Sequence, residues 1–220
     1  MARRALRKID PTLDLSRHYR ETRGLPRPFS QAALFRREQP LEVEVGSGKG
    51  LFLAGAARAN PGHNFLGIEV SLKYARYAAA RLARQESDNA VVIGGDALAL
   101  FREWIPEESL AAIHVYFPDP WWKKRHKKRR ILNEQFLRDA ERTLAPGGSF
   151  HFWTDVEEYF QATLELVTAI VKLEGPLPVA ERPAEHDLDY CTHFERRTRQ
   201  SQQPVYRAEF RKSGGANSPS

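Results

Sequence analysis

The strongest constraint on this 220-residue chain is an alternation, in which a short apolar run is followed five times by a segment patterned as a helix. "LEVEV" (41–45), "NFLGIEV" (64–70), "AVVIGGDA" (90–97), "LAAIHVYF" (110–117) and "SFHFWTD" (149–155) read as strands, being short, rich in β-branched and aromatic residues and bounded by turn formers. Helices are expected over 51–60, stopped by Asn60-Pro61-Gly62, over 71–85 with Ser71 as N-cap, around 97–104, over 133–145 before Pro146-Gly147-Gly148, and over 157–175. The acid-rich first turn of the last one suits the helix dipole. Strands that alternate with helices pair in parallel and carry helices on both faces, because each crossover must return over the sheet. The expected class is therefore α/β with a mostly parallel twisted sheet. Two further strands, "YCTHFERR" (190–197) and "PVYRAEF" (204–210), are expected near the end, the last of them antiparallel.

Composition is globular, with 41% apolar and 10% aromatic residues, and the length suits one core. Residues 1–40, rich in Arg and Pro, read as a basic, partly flexible arm, 41–212 as one domain, and 213–220 as a disordered tail. The net charge of +6 is unevenly spread: residues 1–27 hold eight Lys/Arg and three acids, 123–130 seven and none, and 193–212 six and two. The remainder is therefore acidic. Basic patches on an acidic body fit a polyanion bound along one face, since neutralised phosphates release counterions. The single cysteine, Cys191, excludes an internal disulfide and reads as a small, buried hydrophobe. No run of about 18 apolar residues marks a membrane span, and the basic start lacks the apolar stretch of a signal peptide, which leaves the cytoplasm. No metal-ligating cluster is spelled out.

On parallel sheets ligands sit beyond the carboxyl ends of the strands. Glu44, Glu69, Asp96, Asp119 and Asp155 all fall at or near such ends. Behind the first strand, "GSGKG" (46–50) lacks the spacing of a P-loop and of the dinucleotide fingerprint, because Leu51 stands where each requires another residue. Its G-x-G-x-G spacing, with Glu44 ahead, is similar to that of S-adenosylmethionine-dependent methyltransferases. That donor is cationic at its sulfonium and amino group, which favours an acid such as Glu44 or Asp119 nearby. Glu69 is placed for the ribose hydroxyls and Asp96 for the adenine end.

After the fourth strand comes "PDPWWKKRHKKRR" (118–130), an acid and two tryptophans ahead of seven Lys/Arg. On charge alone it reads as a solvated loop, a localisation-like patch or a helix face as readily as an RNA-binding run. Its flanks decide. "FPDPWWKKRHKKRRI", with "EVGSGKG", "GIEVSLKYA", "GDA", "WTD" and "THFE" in that order, resembles the bacterial tRNA (guanine-N7-)-methyltransferase family over residues 41–210. The motif after the fourth strand is the most specific part.

The resemblance implies a Rossmann-like class I methyltransferase fold, S-adenosyl-L-methionine as donor, and methylation of N7 of the guanine in the tRNA variable loop. It implies cofactor binding by Glu44, Gly46, Gly48, Glu69, Asp96 and Asp119, with Asp119 also catalytic. Lys123, Asp155, Thr192, His193, Phe194 and Glu195 match substrate contacts, and Arg125, His126, Lys127, Lys128, Arg129 and Arg130 the RNA-interacting stretch. His126 reads as a phosphate or structural contact, and Trp121 and Trp122 either stack on a base or pack beneath the loop. The segment before the last strand lacks the glycine that many members carry at about Gln202, which bears on loop shape and not on chemistry. Guanine N7 has a lone pair and no proton, so the expected task is positional and electrostatic, with Asp119 near the ring and Asp155 or Glu195 at its N1–H and N2–H edge. Two rivals remain at this point. One is an amino-methyltransferase, whose acid-Pro-Pro-aromatic motif differs at Trp121, and the other is a silent RNA-binding protein on the same fold. Monomer and homodimer stay open.

Overall fold

The computed structural model describes residues 6, 8–23, 25–120, 130–181, 183–184 and 190–214. In chain order its elements are β1 Tyr19–Glu21, a 3-10 turn Gln31–Ala33, β2 Leu41–Val45, α1 Leu51–Ala59, β3 Asn64–Glu69, α2 Leu72–Arg84, β4 Ala90–Gly94, α3 Ala97–Glu103, β5 Leu110–Tyr116, α4 Glu134–Thr143, β6 Leu144–Thr154, α5 Glu157–Ile170, β7 Leu173–Leu177, α6 His193–Gln200 and β8 Tyr206–Lys212. They form one sheet in the order β1-β4-β3-β2-β5-β6-β8-β7. Every pair from β1 to β6 is parallel, and β8 runs antiparallel to β6 and β7.

The five alternating strands lie where their periodicity puts them, and the two sheet faces are packed differently. One face buries Leu41, Val43, Ile68, Ile113, Val115 and Phe152 in the larger core with α3, α4 and α5. Such full burial is worth about 1.5–3 kcal/mol per large apolar side chain. On the other face α1 and α2 meet the sheet through small residues, Ala54, Ala57, Ala75 and Ala78, beside Leu53 and Leu82. Small side chains let helix and strand approach closely: a Cβ built on Gly67 of β3 would lie 2.4 Å from Leu53 Cδ1. That closeness keeps the turn between β2 and α1 against the sheet.

Three segments differ from the sequence reading. Residues 190–197 do not continue as a strand. Thr192 caps α6, its Oγ1 accepting from Glu195 N at 3.0 Å, and this capping pair outweighs the strand propensity of the aromatic and β-branched residues around it. The helix expected over 157–175 stops at Ile170, before Gly175-Pro176, and the chain folds back as β7, pairing Glu174 with Arg211. The stretch before Leu41 contributes an edge strand, with Tyr19 beside Val92, and it buries Phe29, Leu34 and Phe35 in the larger core.

Candidate active site

β2 lies between β3 and β5, where successive crossovers leave in opposite directions, and the crevice beyond such a pair is the ligand site of open α/β sheets. Gly46, Gly48 and Gly50 have φ of 78°, 52° and 67°, a left-handed conformation that costs an L-residue about 1–2 kcal/mol. A Cβ on Gly50 would also lie 2.7 Å from the Cβ of Ala78. The N–H groups of Gly46 and Ser47 donate to Ile68 O at 2.8 and 3.2 Å, tying the turn to β3. Glu69 completes the tie, its Oε2 accepting from Gly48 N and its Oε1 from Ser71 N, each at 2.9 Å. Ser71 thus caps α2 by position only, without a side-chain bond. The expected ribose acceptor is first a clamp on the glycine turn, and each of its oxygens keeps a second lone pair.

Glu44 stands near this clamp. It is 4% exposed, and among the described residues its Oε2 has no hydrogen-bond partner, as is also true of Ser47 Oγ. Burial, and secondarily the Glu69 charge, pushes its carboxyl up to about 8. A buried acid left unpaired is stabilised as an anion when a cation enters. The donor set therefore fits a cationic nucleoside such as S-adenosylmethionine. Asp96 is exposed and caps α3, its Oδ1 accepting from Leu98 N at 2.9 Å.

Across the crevice the chain leaves β5 through Phe117, which adopts φ 50° while its N–H donates to Trp153 O at 2.8 Å. A left-handed non-glycine residue costs of order 1–3 kcal/mol. Here it turns the chain out of the sheet ahead of Asp119, which is exposed. Asp155, at the end of β6, is exposed too, and among the described residues it has only a 3.5 Å contact, from Thr198 Oγ1 to its Oδ2. The Phe117 ring stacks on Phe194 of α6 at 6.0 Å and 18°, while Phe194 stays 45% exposed with Arg197 4.8 Å over its ring.

Glu195 differs from the other expected acids. It is 3% exposed; its Oε2 accepts from Cys191 N at 2.7 Å, and its Oε1 from Arg207 Nη2 at 3.1 Å and Arg199 Nη1 at 3.4 Å. Glu181 bridges the same two guanidinium groups at 3.0 Å each. The sequence reading missed this network, although Thr-x-x-Glu at 192–195 is a helix-start signature. It also missed Arg81, whose Nε donates to Lys49 O at 3.1 Å and whose Nη2 donates to His193 Nε2 at 3.4 Å, linking the glycine turn to α6. Cys191 is half-buried, not fully buried. Trp121, Trp122, Lys123, Arg125, His126, Lys127, Lys128 and Arg129 lie outside the described residues. Among the described residues no group of three or more His, Cys, Asp or Glu is placed to hold a metal, and no helix is long and apolar enough to cross a membrane.

The chain is similar to known methyltransferases. A family model described as "Putative methyltransferase" matches residues 38–208. The tRNA (guanine-N(7)-)-methyltransferase of Rhodopirellula baltica is 50% identical over 218 residues, covering 96% of this chain and 80% of the relative. Among solved structures, the antibiotic-resistance methyltransferase Kmr matches with a TM-score of 0.55 at 16% identity, covering 80% of this chain and 88% of that one. A SAM-dependent O-methyltransferase from Thermotoga maritima matches with a TM-score of 0.52 at 17% identity, covering 80% and 60%. At those identities the structures speak for the class I methyltransferase fold, and the specific assignment rests on sequence. With half of its residues shared across nearly its whole length, the chain belongs to the tRNA (guanine-N7-)-methyltransferase family.

Proposed function

We propose that this protein transfers the methyl group of S-adenosyl-L-methionine to N7 of a guanine in the variable loop of tRNA. The observation that carries the reading is the meeting of the glycine turn after β2 with the Pro118-Asp119-Pro120 segment after β5 at one switch point of the sheet. When bound, the donor supplies an electrophilic methyl carbon on a sulfonium. Glu44 and the turn of Gly46 and Gly48 hold it, with Glu69 at the ribose and Asp96 at the adenine end.

Guanine N7 carries an in-plane lone pair and no proton, so no general base is required. The protein must instead hold N7 about 3 Å from the methyl carbon, in line with the departing sulfur, which is worth many orders of magnitude in rate. Positive charge then develops on the purine. Asp119 sits as a fixed carboxylate near the ring and stabilises that charge. Asp155, with most of its bonding capacity open, accepts from the guanine N1–H and N2–H edge. Glu195 is less suited to that task because it is buried and its Oε1 already accepts from two guanidinium groups, so it shapes the site with Thr192 and His193, while Phe194 offers an exposed ring to the base. The basic run, Lys123 and Arg125 to Arg129, draws in the tRNA backbone. A tRNA substrate implies the cytoplasm.

The test is direct. Incubating the protein with methyl-labelled donor and unmodified tRNA, then mapping the label, should give N7-methylguanosine at a single variable-loop guanine. Label on an exocyclic amine, or tight tRNA binding with no transfer, overturns the reading.

A further inference from the structure

Arg130 closes the basic run, and its surroundings are unlike those of a side chain waiting for phosphate. Its Nε donates to Pro120 O at 2.7 Å. Its guanidinium lies 4.7 Å over the ring of Tyr159, a residue 2% exposed in the first turn of α5. Its own carbonyl accepts from Asn133 Nδ2 at 3.2 Å, and Asn133 caps α4 by accepting from Phe136 N at 3.0 Å. One residue thus connects the exit of β5, the start of α4 and the start of α5. Pro120 follows Asp119 directly and has no N–H, so its carbonyl is the first backbone group beyond Asp119 by which the segment can be held. The bond there is charge-assisted and short, of the stronger kind.

We propose that Arg130 is a positioning residue for Asp119: it fastens the Asp119-Pro120 segment to α4 and α5 and does not serve as a phosphate contact. The proposal rests on the reading of Asp119 as the carboxylate nearest the guanine ring. Tyr159 marks the neighbourhood. Burial pushes its hydroxyl up to about 12, and both the Arg130 guanidinium and the Asp119 carboxylate lie close enough to bear on it. A guanidinium suits the task because it donates in its plane from Nε while its face covers an aromatic ring. A lysine ammonium is a point charge without that fork.

The experiment uses the full chain and unmodified tRNA, and reads two quantities: kcat at saturating tRNA, and the slope of log binding constant against log salt. Arg130→Lys keeps the cation and removes the fork, and Arg130→Ala removes both. The expected result is a kcat lowered about 10- to 100-fold in each, the cost of a misplacement on the order of 1 Å, with the salt slope of the parent. A slope shallower by about 0.7–0.9, the signature of one lost phosphate contact, or parental kcat in Arg130→Lys, overturns the proposal. Should Arg130→Ala be too unstable to assay, Tyr159→Leu removes the stacking partner without altering charge and is expected to lower kcat in the same way. Parental kcat there also overturns the proposal. Asp119→Asn runs alongside. Normal turnover in that variant refutes the role given to Asp119 itself, a result distinct from any change in slope at Arg130.

Discussion

The two walls of the crevice are built by different means. The wall of Gly46, Gly48, Glu69 and Glu44 comes from the adjoining ends of β2 and β3, and ties between neighbouring segments hold it: left-handed glycines, N–H groups on Ile68 O, and the Glu69 carboxylate on two backbone N–H groups. The opposite wall gathers Asp119, Arg130, Asp155 and Thr192 to Glu195 from distant parts of the chain, and side chains hold it. There Arg130 bonds Pro120, while Arg199 and Arg207 share Glu195 and Glu181. A small cofactor of constant shape suits a wall with little freedom. A large polyanion suits a wall whose braces are charged and whose acids, Asp119 and Asp155, stay exposed. Arg81 links the two walls through its side chain, from Lys49 O to His193.

The division between the walls is most severely tested at Asp119. Asp119→Asn is expected to lower turnover about 10²- to 10³-fold, the usual cost of losing one charge-stabilising group, while tRNA affinity stays within about threefold. Parental turnover in that variant would remove Asp119 from the chemistry. Next in size is the contrast between Glu195 and Asp155. Glu195→Ala empties a buried acid site and leaves two half-buried guanidinium groups with Glu181 alone among the described acids, and should cost about 3 kcal/mol, lowering Tm by roughly 6–12 °C in a chain of this length. Asp155→Asn should melt with the parent and lose only kcat/KM for tRNA. The opposite pattern in thermal melts and kinetics would exchange their roles.

The smallest effect, about tenfold or less per pH unit, belongs to the wall of the glycine turn. The Glu44 carboxyl is raised to about 8, so between the ordinary carboxylate range and about pH 8 the folded protein holds a proton that the unfolded chain has lost. That proton weakens folding progressively as pH rises through the window. A bound cation expels the proton, so cofactor affinity should rise with pH toward about 8, by at most about tenfold per unit, and level off above it. Calorimetry in buffers of different ionisation enthalpy should count proton release in the parent, and less of it in Glu44→Gln. Equal release in both would show that Glu44 does not carry the linkage.

The same contrast explains what could be read in advance. The alternation of strands and helices was legible because hydrophobic period and Gly/Pro stops are local signals. The strand-end acids Glu44, Glu69 and Asp96 were legible because topology places such ends together. The start of α6 was misread as strand, although Thr192 and Glu195 stood at capping distance in the sequence, because the aromatic and β-branched residues beside them carry the opposite preference. Residues before Leu41 gave no regular period, so the joining of Tyr19 to Val92 and the burial of Phe35 had no local signature.

By itself, then, the sequence determined the α/β class, the family, the glycine turn and the acids available to the site, since each is written in contiguous residues or in the order of strands. Only the tertiary structure decided how those acids are used. Glu69 clamps, Glu44 stays buried with its Oε2 unpartnered among the described residues, Glu195 is engaged by Arg199 and Arg207, and Arg130 turns toward Pro120 and Tyr159. The physical reason is that an acid or a guanidinium takes its role from burial and from the partners within a few ångströms, and here those partners lie far along the chain.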